Sequence, residues 1–281
     1  MPLFKRVTIV GLGLIGGSLG MAIRRRRLAT TVVGLSRHAS TLRRARARGA
    51  IDVGTTNAKQ AVEHADLVIL ATPVDTIVPQ ALRVVRWMRA GSVLSDVGST
   101  KAHIVQTLER RLPSHVAFVG AHPLAGSEQR GIAAADANLF DGSACVLTPT
   151  RHTNPRSLKR VAGLWRAVTS HVVSMSPQRH DRVLAGTSHL PHLLAYGLSL
   201  AVSPGPLPCA PPSFLQTTRV AKSDPDLWDD ILLSNRDEVL RAMAQFERQW
   251  RTLARALTRR DRDSLRRLLA RAKSKRDALE K

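Results

Sequence analysis

The feature that most constrains the fold lies in the first twenty residues. An apolar, β-branched run, Val7–Val10, leads directly into a Gly-x-Gly-x-x-Gly turn, and an apolar stretch of small residues follows as far as Arg24–Arg27. The pattern predicts a strand, a tight turn and a helix. Its glycines permit the turn, let a pyrophosphate approach the backbone, and let the helix pack closely on the strand, while the helix N-terminus attracts the anion. The motif therefore predicts a dinucleotide site, with an ordinary strand–helix turn as the alternative. The candidate contacts are Gly11, Gly13, Leu14, Ile15 and Gly16.

The composition is that of a globular chain. The 281 residues, 43% of them hydrophobic, suffice for one large or two ordinary domains. The two cysteines, Cys145 and Cys209, lie far apart, which predicts neither a disulfide framework nor a zinc site and suits a reducing compartment. No signal peptide and no apolar run of about 18 residues is evident, so we expect a cytoplasmic protein without a membrane span.

The net charge of +22 raises the alternative of a nucleic-acid-binding protein. The basic clusters fall on predicted helices, at Arg24–Arg27, at Arg43–Arg48 and in the tail from Arg259 to Lys275. Aromatic residues make up 4% of the chain and are not interleaved with the arginines, as a stacking platform requires. No nucleic-acid-binding signature is present. We interpret the clusters as solvated helix faces, with non-specific polyanion binding at low salt and no specific nucleic-acid partner.

The residues after the second predicted strand, Thr30–Leu35, bear on the choice of cofactor. In a dinucleotide fold they meet the adenosine ribose, where a carboxylate selects NAD. This chain has Ser36, Arg37 and His38 there, with Thr41 behind them, and no acid to repel a 2′-phosphate. A hydroxyl, a guanidinium and an imidazole are suited to binding one. We therefore predict NADP rather than NAD, the alternative being that Arg37 is merely exposed.

Further strands alternate with predicted helices. They lie at Leu67–Ala71, Ser92–Asp96, Ala117–Ala121, Ala144–Thr148 and His171–Met175. The alternation predicts an α/β fold with one doubly wound, mostly parallel sheet of Rossmann type, in which ligands bind beyond the carboxyl ends of the strands.

Three loops follow those strand ends. Thr72 and Pro73 are candidate cofactor contacts. The hydroxyls of Ser99 and Thr100 are expected to cap the next helix. His122 stands at a predicted strand end, which favours a catalytic role over a structural one.

The chain changes character after Pro177, where no convincing strand remains. This predicts two domains, residues 1–176 for the cofactor and residues 177–281 as an all-helical domain. His189 and His192 share a helical face, but no clear third ligand is present and no metal site is predicted. Residues 203–213 read as a proline-rich loop. One long helix is predicted from Asp224-Pro225 to about Leu257, followed by a last helix capped by Asp261. The apolar stripe of the long helix is expected to be buried against a second subunit.

Five segments in this order resemble the prephenate/arogenate dehydrogenase family of tyrosine biosynthesis, and they cover nearly the whole chain. They are Gly11–Ser18, Asp96–Lys101, His122–Glu128, Ser188–His192 and Thr218–Pro225, with Trp228 beyond the last. The glycine turn is shared with many dehydrogenases, whereas the last three segments together are highly specific.

The resemblance implies an NAD(P)-dependent oxidative decarboxylation of a cyclohexadienol and a homodimer built by the helical domains. It implies that His122 accepts the proton of the substrate hydroxyl and that Ser99 hydrogen-bonds the same hydroxyl or the nicotinamide. Arg219 would pair with the ring carboxylate. His192 matches a residue beside the substrate side chain, and Glu128 matches an acid of a gating network.

Two positions depart from the family's pattern. Ser36-Arg37 replaces the acid of NAD-using members, as in NADP-using ones. Gln216 stands where many relatives carry an acid, which favours prephenate over arogenate. The alternatives are a β-hydroxyacid dehydrogenase or imine reductase on the same plan, and a basic nucleic-acid-binding protein without catalysis.

Overall fold

Six parallel strands form the larger of two sheets. They are β1 (Phe4–Val10), β2 (Ala29–Leu35), β3 (Val53–Thr55), β4 (Leu67–Leu70), β5 (Val93–Asp96) and β6 (Ala117–Val119). Their spatial order is β3-β2-β1-β4-β5-β6, and every neighbouring pair is parallel. The chain winds outward from β1 in one direction and then from β4 in the other. The predicted doubly wound Rossmann-type sheet is confirmed, and its switch point lies between β1 and β4.

A second sheet corrects the prediction that all strands belong to one. It comprises β7 (Ala121–Pro123), β8 (Ala144–Leu147) and β9 (His171–Ser174), with β7 antiparallel and β9 parallel to β8. The strand predicted over Ala117–Ala121 breaks at Gly120, whose carbonyl accepts a hydrogen bond from Thr148 N at 2.9 Å. A Cβ on Gly120 would lie 2.5 Å from Thr148 Oγ1, so only glycine allows this approach. His122 therefore lies inside β7 and not at the end of a strand of the large sheet.

The structure is a computed structural model that describes residues 2–203, 205 and 209–279. It divides into two compact units, Met1–Asn235 and Arg236–Lys281. The helices of the first unit are α1 (Leu14–Arg25), α2 (Ala39–Ala47), α3 (Ala58–Val62), α4 (Val74–Val84), α5 (Ala102–Arg111), α6 (Pro155–Val168), α7 (Pro177–Leu184), α8 (Leu190–Ala201), α9 (Pro212–Thr218) and α10 (Pro225–Ser234). The predicted loop over 203–213 lies partly outside the described residues. The predicted boundary at residue 176 lies inside the first unit and stays a prediction.

Apolar side chains cover both faces of the large sheet. One core cluster includes Ile9, Leu19 and Trp165, and the other includes Leu94 and Trp228. Strands buried on both faces read as continuous apolar runs, which is why most of them were predictable. The edge strand β3 lacks such a run, and its Val53 is exposed, so no apolar pattern predicts this strand.

One predicted helix start is wrong. The hydroxyls of Ser99 and Thr100 do not cap α5, whose first amides bind a carboxylate from another helix. In contrast, Asp224 caps α10 through hydrogen bonds from the amides of Asp226 and Leu227, as predicted.

The long helix predicted as far as Leu257 is interrupted. Asn235, with φ −115° and ψ 24°, ends α10, and α11 (Arg236–Thr258) begins after it. Together with α12 (Arg262–Asp277), α11 forms the second unit. Asp261 caps α12 by accepting a hydrogen bond from Ser264 N at 2.9 Å, as predicted. Among the described residues, no helix combines the length and the apolar character needed to cross a membrane.

Candidate active site

His122 is held by two buried side chains of α7. Its Nδ1 lies 2.8 Å from Nε2 of His180, and Nδ1 of His180 lies 2.7 Å from Oδ1 of Asp181. His180 and Asp181 are 0% and 3% exposed. Because Nδ1 of His122 is engaged, Nε2 is the ring nitrogen left to face a ligand. Neither α7 residue was predicted, because no local motif links them to a histidine 58 residues earlier.

Asp181 also fixes the start of α5. Its two carboxylate oxygens accept hydrogen bonds from the amides of Lys101, at 2.7 Å, and Ala102, at 2.8 Å. A carboxylate at a helix N-terminus is stabilised by the free amides and the helix dipole. Asp181 therefore joins α7 to the loop that carries Ser99, so that one residue positions two parts of the site.

A buried ion pair lies next to this network. Lys101 Nζ contacts the carboxylate of Asp96 and donates a hydrogen bond to the carbonyl of Ala121 at 3.0 Å, and both charged side chains are fully buried. Asp96 also accepts a hydrogen bond from Gly98 N at 2.9 Å. The lysine thus brings a positive charge close to the backbone that carries His122.

Burial keeps His122 neutral. Burial first, and then the neighbouring His180, Lys101 and His189, hold the pKa of His122 well below its ordinary value of 6.5. Burial also lowers the pKa of His180, although its hydrogen bond to Asp181 opposes the shift. A neutral imidazole with a free nitrogen is the form that accepts a proton.

A cavity of about 480 Å³ brings together five of the six residues predicted to act on substrate. They are Ser99, His122, Glu128, His192 and Arg219, and Trp228 lines the same cavity. Arg219 Nη1 lies 3.8 Å from a carboxylate oxygen of Glu128, and its side chain is 63% exposed. A guanidinium with so distant a counter-ion remains available to an anionic ligand.

His192 is set by two contacts. Its ring stacks on Trp228 with centroids 3.5 Å apart, and its Nδ1 lies 2.9 Å from the carbonyl of Ser188. Burial lowers the pKa of His192, with nearby Arg219 acting in the same direction. The neutral ring therefore offers Nε2 as a hydrogen-bond acceptor.

The sixth predicted substrate residue, Gln216, is not brought to the cavity. It lies on α9 with its side chain exposed and is not among the residues that line the site. Conversely, an ion pair between Arg130 and Asp224 lies in the cavity lining and was not predicted. Arg130 follows the His122–Glu128 segment closely, and Asp224 was singled out only as a helix cap.

A second cavity, of about 550 Å³, lies at the glycine turn beside the switch point of the sheet. Seven of the predicted cofactor contacts line it, namely Gly11, Gly13, Ser36, Arg37, His38, Thr72 and Pro73. Leu14, Ile15, Gly16 and Thr41 do not line it. Gln80 and Arg83 of α4 do, although they were not predicted.

The glycine turn fits a dinucleotide. Gly11 has φ +91°, and a Cβ there would lie 2.5 Å from the carbonyl oxygen of Ala71. A Cβ on Gly16 would lie 2.0 Å from the carbonyl oxygen of Gly11. In contrast, a Cβ on Gly13 would have no described atom within 4 Å apart from those of its own chain neighbours. The open space at the second glycine is where a pyrophosphate approaches the backbone. Thr72 Oγ1 is buried and has no hydrogen-bond partner among the described residues, which leaves a polar atom for a ligand.

Two family models match adjoining parts of the chain. The model described as "Prephenate dehydrogenase, nucleotide-binding domain" matches residues 19–174, and "Prephenate dehydrogenase, dimerization domain" matches residues 176–271. The cyclohexadienyl dehydrogenase of Zymomonas mobilis is 36% identical over 272 residues, which cover 94% of this chain and 92% of the relative.

Solved structures are similar over the whole chain. The prephenate dehydrogenase of A. aeolicus, in complex with hydroxyphenyl propionate and NAD+, is 34% identical with a TM-score of 0.90, and 98% of each chain is covered. The arogenate dehydrogenase of Synechocystis is 28% identical with a TM-score of 0.85, covering 98% of this chain and 99% of its own. With both family models matching in chain order and a relative similar over nearly its full length, the chain belongs to the prephenate dehydrogenase family and is an oxidoreductase of that family.

Proposed function

We propose that the chain oxidatively decarboxylates prephenate, with His122 as the general base. The observation that carries this proposal is the hydrogen-bonded series Asp181–His180–His122, which leaves Nε2 of His122 in the cavity that also holds Arg219. Membership of the family supports the reaction class. Because the chain belongs to this family, the alternatives are less favoured. They are a β-hydroxyacid dehydrogenase, an imine reductase and a non-catalytic nucleic-acid-binding protein.

The reaction moves a hydride, a proton and a carboxylate. Bound nicotinamide supplies the hydride acceptor, and the hydride leaves C4 of the cyclohexadienol. The C4 hydroxyl gives its proton to Nε2 of His122. The bond between the ring and its carboxylate breaks, CO2 departs, and the electron pair makes the ring aromatic as a phenolate, which takes back a proton from His122. Neutral His122 is already in the proton-accepting form.

The remaining residues bind and orient the substrate. Arg219 pairs with the ring carboxylate, since a guanidinium fork matches a planar anion. Ser99 hydrogen-bonds the C4 hydroxyl or the nicotinamide. His192, stacked on Trp228, lies beside the substrate side chain. The carboxylate of Glu128, 3.8 Å from Arg219 Nη1, modulates the positive charge that Arg219 presents to the substrate.

The choice between prephenate and arogenate does not rest on Gln216, because that side chain lies outside the lined cavity. The relatives carry both activities in their names, prephenate in A. aeolicus and arogenate in Synechocystis. Prephenate is the proposed substrate, and arogenate is the competitor that the assay below compares with it.

We propose NADP as the preferred cofactor. The support is the cavity at the glycine turn, where Ser36, Arg37 and His38 occupy the ribose end and none of the lining residues is an acid. The A. aeolicus relative holds NAD+, so the proposed cofactor of this chain differs from that of the relative only in the 2′-phosphate.

We propose a homodimer, built by the predicted helical domain of residues 177–281. The support is the match of residues 176–271 to a dimerization-domain model. The proposed cofactor domain is residues 1–176.

The test is a four-way assay of prephenate and arogenate with NAD and NADP, repeated in His122→Ala and Arg219→Ala. We expect His122→Ala to lower kcat by about 10²–10⁴-fold with cofactor affinity retained. Arg219→Ala should chiefly raise KM, by about tenfold or more, because a charged hydrogen bond is lost.

His115→Ala is the matched control, since His115 is exposed and lines neither cavity. Near-normal turnover in His122→Ala would refute its role as base. A native preference for NAD would refute the NADP proposal, and no turnover of either substrate by the native enzyme would refute the function.

A further inference from the structure

One face of α4 turns towards the cofactor cavity. Gln80 and Arg83 line this cavity together with Arg37, which lies after β2. Because Gln80 and Arg83 are three residues apart on a helix, their side chains are neighbours on the same face. The adjoining face of α4, including Ile77 and Ala81, is buried in the core. The position of Arg83 over the cavity is therefore fixed by the packing of its helix.

The charge of this cavity is one-sided. Its lining holds two guanidinium groups and one imidazole, and none of its lining residues is an acid. Within the described part of the chain, neither Arg37 nor Arg83 forms an ion pair, whereas Arg24 pairs with Asp52 and Arg89 with Asp66.

An unpaired arginine means little by itself in a chain of net charge +22. What distinguishes this pair is the shared concave site. Two like charges that line one cavity of about 550 Å³ repel each other, and an anion bound between them relieves that repulsion.

We propose that Arg83 and Arg37 together bind a phosphate group on the adenosine ribose, so that α4 as well as the loop after β2 selects the cofactor. The proposal rests on the proposed dinucleotide site at the glycine turn. A phosphate monoester carries up to two negative charges and three acceptor oxygens, and guanidinium forks bind such groups in pairs of parallel hydrogen bonds. The selecting charge thus comes from two elements, of which the sequence pattern indicated only one.

Stacking on adenine is the competing use of Arg83 on the same geometry. A guanidinium can stack on the flat face of an adenine ring. Stacking would serve every adenine nucleotide equally, whereas phosphate binding serves only those with a 2′-phosphate. The two uses therefore differ in one measurable quantity, the ratio of affinities for nucleotides with and without that phosphate.

The experiment measures the binding of adenosine 2′,5′-bisphosphate and of 5′-AMP, which differ only in the 2′-phosphate, by calorimetry. The native protein is compared with Arg83→Met, Arg37→Met and the double variant. Methionine keeps much of the apolar stem and removes the charge. We expect the native protein to prefer the 2′-phosphorylated nucleotide, and each single variant to lose about tenfold of that preference. Affinity for 5′-AMP should stay unchanged, and Arg83→Lys should retain part of the preference.

Arg86→Met is the matched control. Arg86 lies just beyond α4, is exposed and does not line the cavity. Thermal unfolding of each variant checks that the fold is kept, which the exposure of Arg37 and Arg83 leads us to expect.

Each other outcome overturns the inference in its own way. Equal native affinity for both nucleotides would show that no 2′-phosphate site exists, with the dinucleotide site intact. Equal loss of both affinities in Arg83→Met would assign Arg83 to adenine stacking, and no change in either would remove Arg83 from the site. If the native protein bound neither nucleotide, the proposed dinucleotide site itself would fail.

Discussion

At the scale of single residues, Asp181 determines which nitrogen of His122 carries a proton. Its carboxylate can only accept, so Nδ1 of His180 donates to it. The neutral His180 then presents a bare Nε2, to which Nδ1–H of His122 donates. This leaves the lone pair of His122 on Nε2, on the side of the cavity. His180 is a positioning residue in this arrangement, because it acts through His122.

The tautomer can be tested by exchanging His180. In His180→Leu the Nδ1–H of His122 loses its acceptor, so the tautomer with Nε2 protonated competes and kcat should fall by about tenfold or more. His180→Gln retains an acceptor oxygen and should recover part of kcat. Cofactor affinity should be unchanged in both variants.

The pH profile supplies a readout that loss of packing alone would not move. Because the pKa of His122 lies well below 6.5, the native enzyme holds the neutral base at pH 6.5, and kcat/KM should fall only at more acidic pH. Replacing His180 removes one of the causes of that low pKa, so the acid limb should move towards higher pH in His180→Leu. Equal kcat in the leucine and glutamine variants, with an unmoved acid limb, would contradict the role assigned to His180.

The sequence predicted the residues that line the cavity better than the residues that position them. His122 and Arg219 were recognisable because each lies within a short motif. Asp181 was not, since its partners Lys101 and Ala102 lie 80 and 79 residues away. A hydrogen bond between distant segments leaves no periodicity in the sequence.

At the scale of elements, a π-helical turn shapes the helical side of the cavity. The turn, Ala185–His189, joins α7 to α8. Such a turn inserts an extra residue, and each residue of an α-helix rotates the chain by about 100°. The insertion therefore lets α7 direct His180 to β7 while His192 of α8 faces the cavity. The sequence does not indicate this turn, because a π-turn uses the same residue types as an α-helix.

Asn235 joins α7 to the last residue of this turn. Its side-chain amide donates to the carbonyl of Asp181 at 2.8 Å and contacts Nδ1 of His189 at 3.2 Å, and the residue is 5% exposed. The same residue ends α10, where the sequence predicted a continuous helix. The break in the helix places an amide between α7 and the end of the π-turn.

We expect Asn235→Leu to raise KM for the cyclohexadienol severalfold while the KM for cofactor stays unchanged, because Ser188 and His192 lose their register. The variant should also lower the free energy of unfolding by about 1–3 kcal/mol, since buried polar atoms lose a partner. Asn235→Gln keeps the amide and should recover part of the substrate KM. Steady-state kinetics with each substrate varied in turn, together with urea unfolding, provide the measurements. A loss of stability with both KM values unchanged would reduce Asn235 to a purely structural role.

The small sheet marks the limit of prediction for elements. β7 has only three residues, and it pairs with β8 across a long intervening loop. The sequence predicted a single strand over Ala117–Ala121, which ends as β6 at Val119, and it did not predict β7. Which sheet it joins depends on the close approach at Gly120, which is a matter of tertiary contact and not of local sequence.

At the scale of the whole molecule, charge and apolar surface act against each other in the proposed dimer. Each chain carries +22, so two chains repel at low salt. In α11 the side chains of Leu240, Met243, Trp250 and Leu257 are 48%, 42%, 61% and 61% exposed. Their spacing of three and seven residues places them near one helical stripe. Burying this stripe would offset the repulsion that the charge creates.

The proposed dimer should therefore tighten as salt is added. Screening shortens the reach of the charges from about 30 Å at 0.01 M to about 3 Å at 1 M salt, while apolar burial is kept. Binding of a phosphorylated cofactor should change in the opposite direction, because screening weakens its attraction to Arg37 and Arg83. Sedimentation velocity and calorimetry over the same salt series measure the two effects. Trp250→Glu should give a monomer at every salt concentration, whereas Val53→Glu, at an exposed apolar residue of β3, should leave the dimer intact. A dimer that dissociates as salt rises would mean that ion pairs, and not the apolar stripe of α11, hold the two chains together.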